Sequence, residues 1–297
     1  MSARYDCTDA AQRAAGINEA AASLRKGDLV VMPTDTVYGL AADAFSPVAV
    51  ASLLAAKGRG RHMPPPVLVG TVRAATALVE DLNASGRDLI EEFWPGGLTL
   101  VLRANRGLLW DLGETKGTVA VRMPLHEVAL ELLKEVGPLA VSSANLSGAP
   151  AATTAADAEA QLGDAVAVYL DGGPCAADVP STIVDLTGPV PRLLRPGVIS
   201  VERIRRVATL AVDEDGMLDQ ADAPLDHSDA LTDQDEAMPA ESGAPGRHDA
   251  APAQDDAASG QDDAAPGRDD AAPGQDEARS HGDGHDARPR EGGAAEG

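Results

Sequence analysis

This sequence predicts a mixed α/β sheet with helices packed on it, and three observations carry the prediction. Short apolar runs of strand length recur, bounded by Gly, Pro and Thr. Between several of them lie Ala- and Leu-rich stretches long enough for helices. Other gaps are too short for a helical crossover, so some strand pairs are expected to be antiparallel. All of this lies in residues 1–212, about the size of one domain with a sizeable core. The chain has 297 residues and a formal net charge of −23, yet residues 213–297 hold 5 Lys+Arg against 24 Asp+Glu. The seven aromatic residues all lie at or before Tyr169. Residues 213–297 have too little apolar surface to offset chain entropy, so they are expected to form a disordered acidic tail. Their degenerate seven-residue repeat opens at Asp255, Asp262, Asp269 and Asp276. It has no apolar seam and carries Pro and Gly inside each unit, which excludes a coiled coil.

The elements follow in order. Ala10–Leu24 is Ala-rich with spaced apolar residues, and Arg25-Lys26-Gly27 closes it as a helix end. Leu29–Met32 is a short buried strand. Pro47–Ala56 reads as a helix running toward Lys57, with Pro47 suited to its first turn. Pro64-Pro65-Pro66 breaks regular structure before a strand at Val67–Val69. Arg73–Leu82 and Gly86–Phe93 read as helices. Trp94-Pro95-Gly96-Gly97 is a turn into the β-rich run Leu98–Leu102. Val119–Val121 is a strand, Glu127–Glu135 a helix stopped by Gly137-Pro138, and Leu139–Val141 a buried strand. Asp157–Leu162 reads as helix, and Ala165–Leu170 and Ser181–Leu186 as strands.

Composition excludes several classes. Two cysteines, Cys7 and Cys175, give no disulfide framework. No apolar run approaches the ~20 residues needed to span a bilayer, and Met1–Lys26 mixes Arg, Asp and Glu where a signal peptide would be apolar. A soluble, cytoplasmic protein with no membrane association is expected. Residues 1–212 offer only His62 and His126, with no HExxH, CxxC, GxSxG or Walker A pattern. Chemistry here should rest on positioning and charge neutralisation.

One pattern recurs: a short apolar strand ends and polar groups follow at once. Thr34, Thr36 and Tyr38 follow the first strand, and Arg122 ends another. Ser142, Ser143 and Asn145 follow a third, and Ser181 with Thr182 open a fourth. Any one such segment is satisfied by a capped turn, but four in one domain point to a shared ligand site beyond strand ends. Lys57 and Arg59, beside Arg61, fit either a solvated basic helix terminus or a phosphate clamp. Arg122 fits an ion pair or a fork for a carboxylate. Arg195, framed by Leu194 and Pro196, is expected to face inward. Cys175 reads as a small buried residue.

Five segments in order, PTDTVYGLAADA (33–44), KGRGRHMPPPVLV (57–69), WPGGLTLVL (94–102), TVAVRMP (118–124) and SSANLSG (142–148), resemble the YrdC-type L-threonylcarbamoyladenylate synthases. DGG (171–173), STIVD (181–185) and LLRPG (193–197) extend the resemblance. It implies a YrdC-like twisted mixed sheet flanked by helices, with a concave ligand-binding face, in the family's short single-domain form over residues 1–212. It also implies a nucleotidyltransferase that makes threonylcarbamoyl-AMP and pyrophosphate from L-threonine, bicarbonate and ATP. Other tRNA-modification proteins then transfer the threonylcarbamoyl group to adenosine 37 of tRNA. Magnesium would come with ATP, with no metal ligand from the protein.

On this resemblance Lys57, Arg59, Ser143 and Asn145 form the catalytic set and bind ATP together with Thr118 and Arg195. Thr34, Thr36, Tyr38, Arg122, Ser142, Ser181 and Thr182 form the threonine pocket, with Thr34 and Thr36 left unranked. The chain departs from the common pattern at Met63–Pro66, where relatives have Asn-Pro-Leu, at Ser142 (often Pro) and at Pro180 (often Glu). The alternative is an RNA-binding module of the same fold without catalysis, and weak tRNA binding would also fit a catalyst. A carbamoyl phosphate-dependent enzyme would need acylphosphatase-like and zinc-finger segments, which this sequence lacks.

Overall fold

The structure is a computed structural model. It describes residues 2–175 and 179–211, so the acidic tail expected at 213–297 lies outside the described residues. The described residues form one mixed sheet flanked by helices. Its ten strands are β1 (Ala3–Asp6), β2 (Val30–Met32), β3 (Gly39–Asp43), β4 (Val67–Leu68), β5 (Leu98–Arg103), β6 (Thr118–Arg122), β7 (Leu139–Ser143), β8 (Val168–Asp171), β9 (Thr182–Asp185) and β10 (Arg192–Arg195), in the spatial order β1-β8-β2-β3-β7-β4-β6-β5-β9-β10. β2–β3, β3–β7, β4–β7, β5–β6 and β9–β10 are antiparallel, and β1–β8, β2–β8, β4–β6 and β5–β9 are parallel.

The helices are α1 (Ala10–Lys26), α2 (Pro47–Lys57), α3 (Val72–Leu78), α4 (Ala84–Phe93), α5 (Glu127–Val136), α6 (Ala155–Leu162) and α7 (Val201–Arg205). Local chemistry sets their ends. Asp9 accepts from the Gln12 amide to start α1, and Gly27 ends it in the left-handed region at φ 90°. Ser46 caps α2 with Pro47 in its first turn, and Gly58 at φ 69° ends it. The helix expected over 73–82 stops at Leu78, because Val79 is extended and bridges to Ala104. The strand expected from Ala165 starts at Val168, after a 3-10 turn over Gly163–Ala165. β1, β3, β10 and α7 were not anticipated.

Two cores lie on the two faces of the sheet. On one face, α1 and α5 pack through Ile17, Leu24, Leu132 and Leu133 onto Val30, Met32, Ala41, Val141 and Val168. The larger core includes α2, α4 and α6 residues on β-strands of the other face. The face carrying α1 and α5 is covered only over the β1-to-β7 half. Over β5, β6, β9 and β10 it carries a separate small cluster, Val101, Ala120, Ile183 and Leu194, to which no helix contributes. That uncovered half is where ligand space opens.

Gly197 packs the chain after β10 against the start of β9. A Cβ there would stand 2.5 Å from each of Pro180 O, Ser181 C and Thr182 N, all backbone atoms that cannot swing aside. Gly197→Ala should therefore destabilise the fold by about 2 kcal/mol, roughly 4–8 °C in Tm. Thermal unfolding checks this, and an unchanged Tm would mean that the segment can move away without loss.

Candidate ligand-binding site

The cavity lies across the uncovered sheet face, rather than beyond strand ends as the sequence pattern suggested. Its apolar floor includes Leu68, Ala120, Val141 and Ile183, and its polar wall includes Thr34, Thr36, Thr99, Ser142, Ser143 and Ser181. Pro64, Pro66 and Pro180 also line it. The charged side chains on its wall are Arg122 and Arg195, both cationic.

Arg122 ends β6 and is buried. It donates from Nε to Gly96 O (2.9 Å), from Nη1 to Thr36 Oγ1 (3.0 Å) and from Nη2 to Asp35 Oδ1 (2.6 Å). Asp35 Oδ1 also accepts from the Leu125 amide at 2.9 Å, so the carboxylate is held from both sides. Burial pushes the guanidinium down from its ordinary value and the neighbouring Asp35 charge opposes that. A guanidinium has five N–H donors. Three are committed here, which leaves two for a ligand oxygen.

Donor counting ranks Thr34 and Thr36. Thr34 Oγ1 donates to Val37 O (2.6 Å), so its proton is spent. It accepts from the Thr36 amide (3.1 Å), and the Thr36 hydroxyl 3.1 Å away must then donate to it. Both Thr34 lone pairs are filled. Thr36 Oγ1 has given its proton to Thr34 and accepts one bond from Arg122, so one lone pair remains. Thr36 can therefore accept from a ligand donor, whereas Thr34 can only hold the loop.

The second polar cluster is the turn after β7. Lys57, the last residue of α2, is 1% exposed. Its ammonium donates to Ser143 O (2.6 Å), Asn145 O (2.8 Å) and Asn145 Oδ1 (3.0 Å), with Ser143 Oγ at 3.3 Å. Arg59 donates to Ser147 Oγ and Ser142 Oγ, each at 3.0 Å. Asn145 Nδ2 closes the turn on Leu146 O and Ala149 O. Of this group only Ser142 and Ser143 reach the cavity wall. Arg61, grouped with these cations in sequence, is separated from them: it is exposed and pairs with Asp111 at 2.8 Å.

The remaining residues divide. Arg195 donates to Ser181 O and Oγ on the cavity wall. Tyr38 borders the cavity, but its ring sits in the larger core, where its hydroxyl donates to Gly173 O and accepts from the Gly172 amide. Burial pushes that phenol up from its ordinary value. Thr182 is turned away from the cavity, its hydroxyl exchanging bonds with Ile199 O and N. Thr118 is at the far end of β6 from Arg122, its hydroxyl on Thr115 O, and does not line the cavity. Cys175 is half-buried with its thiol on Thr34 O, and burial pushes the thiol up, away from reactivity.

Two residues the sequence reading passed over are Asp35 and Thr99. Asp35 stood inside the quoted PTDT segment. Period-two alternation in Leu98-Thr99-Leu100 already put the Thr99 side chain opposite the two leucines.

Among the described residues no group of three or more His, Cys, Asp and Glu side chains gathers to hold a metal ion. None of their helices is long and apolar enough to cross a membrane.

The fold and the site define an α/β protein with a cavity on one sheet face, walled by hydroxyls and two arginines. The Sua5/YciO/YrdC family model, described as "Telomere recombination", matches residues 22–197, more than half of the chain. The chain belongs to this family. It is 57% identical over 213 residues to a Mycobacterium tuberculosis protein that bears the name threonylcarbamoyl-AMP synthase provisionally, covering 72% of this chain and 97% of that one. A Bacillus subtilis protein named threonylcarbamoyl-AMP synthase is 39% identical over 211 residues, 70% of this chain and 61% of that one. Among solved structures, Pyrococcus abyssi Sua5 complexed with L-threonine superposes with a TM-score of 0.67 at 31% identity, covering 77% of this chain and 67% of that one. Escherichia coli YciO, at 23% identity and TM-score 0.60, shares the fold.

Lys57 gives a direct test of the turn. Lys57→Met keeps the length of the side chain but takes the donor from two buried acceptors on Asn145 and from the half-buried Ser143 O, at a cost of about 2–5 kcal/mol. Denaturant unfolding should show that loss, and a change below ~1 kcal/mol would mean that water replaces the ammonium.

Proposed function

We propose that the chain is an L-threonylcarbamoyladenylate synthase, forming threonylcarbamoyl-AMP and pyrophosphate from L-threonine, bicarbonate and ATP. The observation that carries the reading is Arg122: a buried fork with two uncommitted donors, beside a Thr36 hydroxyl that can only accept, in a family whose Pyrococcus abyssi member is solved with L-threonine. A zwitterionic amino acid matches that pairing, with its carboxylate on Arg122 and a hydroxyl or amine hydrogen directed to Thr36.

The chemistry asks little of side-chain acids and bases. The threonine ammonium first loses a proton to solvent; the free amine adds to carbon dioxide derived from bicarbonate and releases a second proton to solvent to give a carbamate. A carbamate oxygen then attacks the α-phosphorus of ATP. The new O–P bond forms as the bond to the β-phosphate oxygen breaks, and pyrophosphate leaves with the electron pair. Arg195 and the Ser142–Ser143 turn, backed by Lys57 and Arg59, would offset charge on the phosphates. The cavity's hydroxyls and guanidinium groups do not fit a resident divalent ion, so magnesium on this reading arrives on the phosphates of ATP. Cytoplasmic residence and hand-over of the product to tRNA-modification proteins belong to the same proposal.

The RNA-binding alternative loses two of the cations that would carry it. Lys57 and Arg59 are buried against the 142–147 turn, not set out on a surface that could track a phosphate backbone.

Purified full-length protein with ATP, magnesium and bicarbonate should release pyrophosphate when L-threonine is added, and much less with L-serine. Release indifferent to the amino acid, or none from folded protein, would sink the proposal. Within that assay Arg122→Ala should raise the KM for L-threonine at least about tenfold while the KM for ATP moves far less. A larger effect on ATP would mean that Arg122 serves the nucleotide.

A further inference from the structure

Thr99 lies on β5, 1% exposed, on the cavity wall. The β5–β6 register sets Leu100 opposite Val121. Continuing it by one step places Thr99 opposite Arg122, and directly opposed residues share a face of the sheet. The Thr99 hydroxyl has one partner among the described residues, Ser181 Oγ at 2.8 Å. Ser181 Oγ in turn accepts from Arg195 Nη2 at 3.2 Å.

Protons in this pair can be counted. If Ser181 donates to Thr99, the Thr99 proton is uncommitted. If Thr99 donates to Ser181, the Ser181 oxygen has both lone pairs filled and its own proton is uncommitted. Either way the pair presents one O–H that no described residue accepts, on the wall shared with Arg122. Such a proton calls for a ligand acceptor.

We propose that Thr99 completes the receptor for the substrate carboxylate: the Thr99–Ser181 pair donates one hydrogen bond to the carboxylate that Arg122 pairs with. This rests on the threonine-dependent reading given above. It makes Thr99 a binding residue, and it divides the cavity by polarity, with the acceptor at Thr36 and the donors at Arg122 and the hydroxyl pair. The amino acid is thereby held in one orientation, with its carboxylate toward β5 and β6.

The pair is redundant. Thr99→Val frees the Ser181 proton, Ser181→Ala frees the Thr99 proton, and only the double variant removes both. Calorimetric titration of the full-length protein with L-threonine should show each single variant weakened about threefold and the double about thirtyfold or more, beyond the product of the singles. The KM for ATP should stay within about twofold, a split that a general packing defect would not give. Thr99→Ser, which keeps the hydroxyl, should bind more tightly than Thr99→Val, and that comparison decides the matter if the double variant does not fold. Equal binding by Thr99→Ser and Thr99→Val, a double no worse than the product of the singles, or a parallel rise in the KM for ATP would overturn the proposal. A wild-type protein that binds no L-threonine would overturn the threonine reading itself, and this inference with it.

Discussion

One buried guanidinium organises the site. Arg122 is a full charge in a place with little water, and such a charge persists only when its donors are satisfied. It satisfies them by gathering segments far apart in sequence: Asp35 and Thr36 from the loop after β2, and Gly96 from the turn before β5. Asp35 supplies the compensating charge from behind, outside the cavity wall, so the pair is neutral while the cavity itself sees a cation. Two donors remain without an acceptor among the described residues. The cost of burying Arg122 therefore becomes a preference for an anionic ligand at that spot, with the geometry set before the ligand arrives.

The same logic in a second form holds the turn after β7. Lys57 is held by oxygens of the turn itself, Ser143 O, Asn145 O and Asn145 Oδ1. Arg59 adds another cation bound to serine hydroxyls. The turn is rigid because its oxygens point back at the ammonium. Ser142 and Ser143 can then face the cavity with positive charge behind them, a milieu suited to phosphate oxygens.

What the sequence revealed tracks how local each cause is. Helix starts and stops were legible at Pro47 and Gly27, because capping is a matter of neighbouring residues. The convergence of Thr34, Thr36, Ser142, Ser181 and Arg122 was legible as a repeated habit of polar groups at strand ends. β3 was hidden because Gly39–Asp43 runs straight on from a motif read as loop. It is a strand because Gly39 lets β7 approach: a Cβ there would lie 2.6 Å from Val141 Cγ1. β1 and β10 are four residues each and take their strand character from partners distant in sequence. The direction in which Lys57 and Thr182 face could not be read at all. Both sit at element ends, where a side chain can serve ligand or loop, and only tertiary contacts decide between them.

Hydrogen-bond direction also says what kind of catalyst this cavity can be. No histidine, aspartate, glutamate or cysteine lines it among the described residues, so no wall residue is suited to shuttle a proton near neutral pH. The Thr36 and Thr34 hydroxyls are fixed in a relay from Arg122 Nη1 through Thr36 to Thr34 and on to Val37 O. Reversing it would leave the buried guanidinium facing a second donor. A wall of this kind can orient an amino acid and neutralise oxyanions, but it cannot take a proton from a nucleophile. Carbamate formation followed by attack on a phosphorus atom is a sequence in which the ammonium gives up two protons to solvent on the way to the carbamate, and the phosphoryl-transfer step itself moves none. On the proposed reading the nucleophile then reaches the phosphorus already anionic, and the two arginines and the serine turn would share with magnesium on ATP the task of offsetting charge in that step.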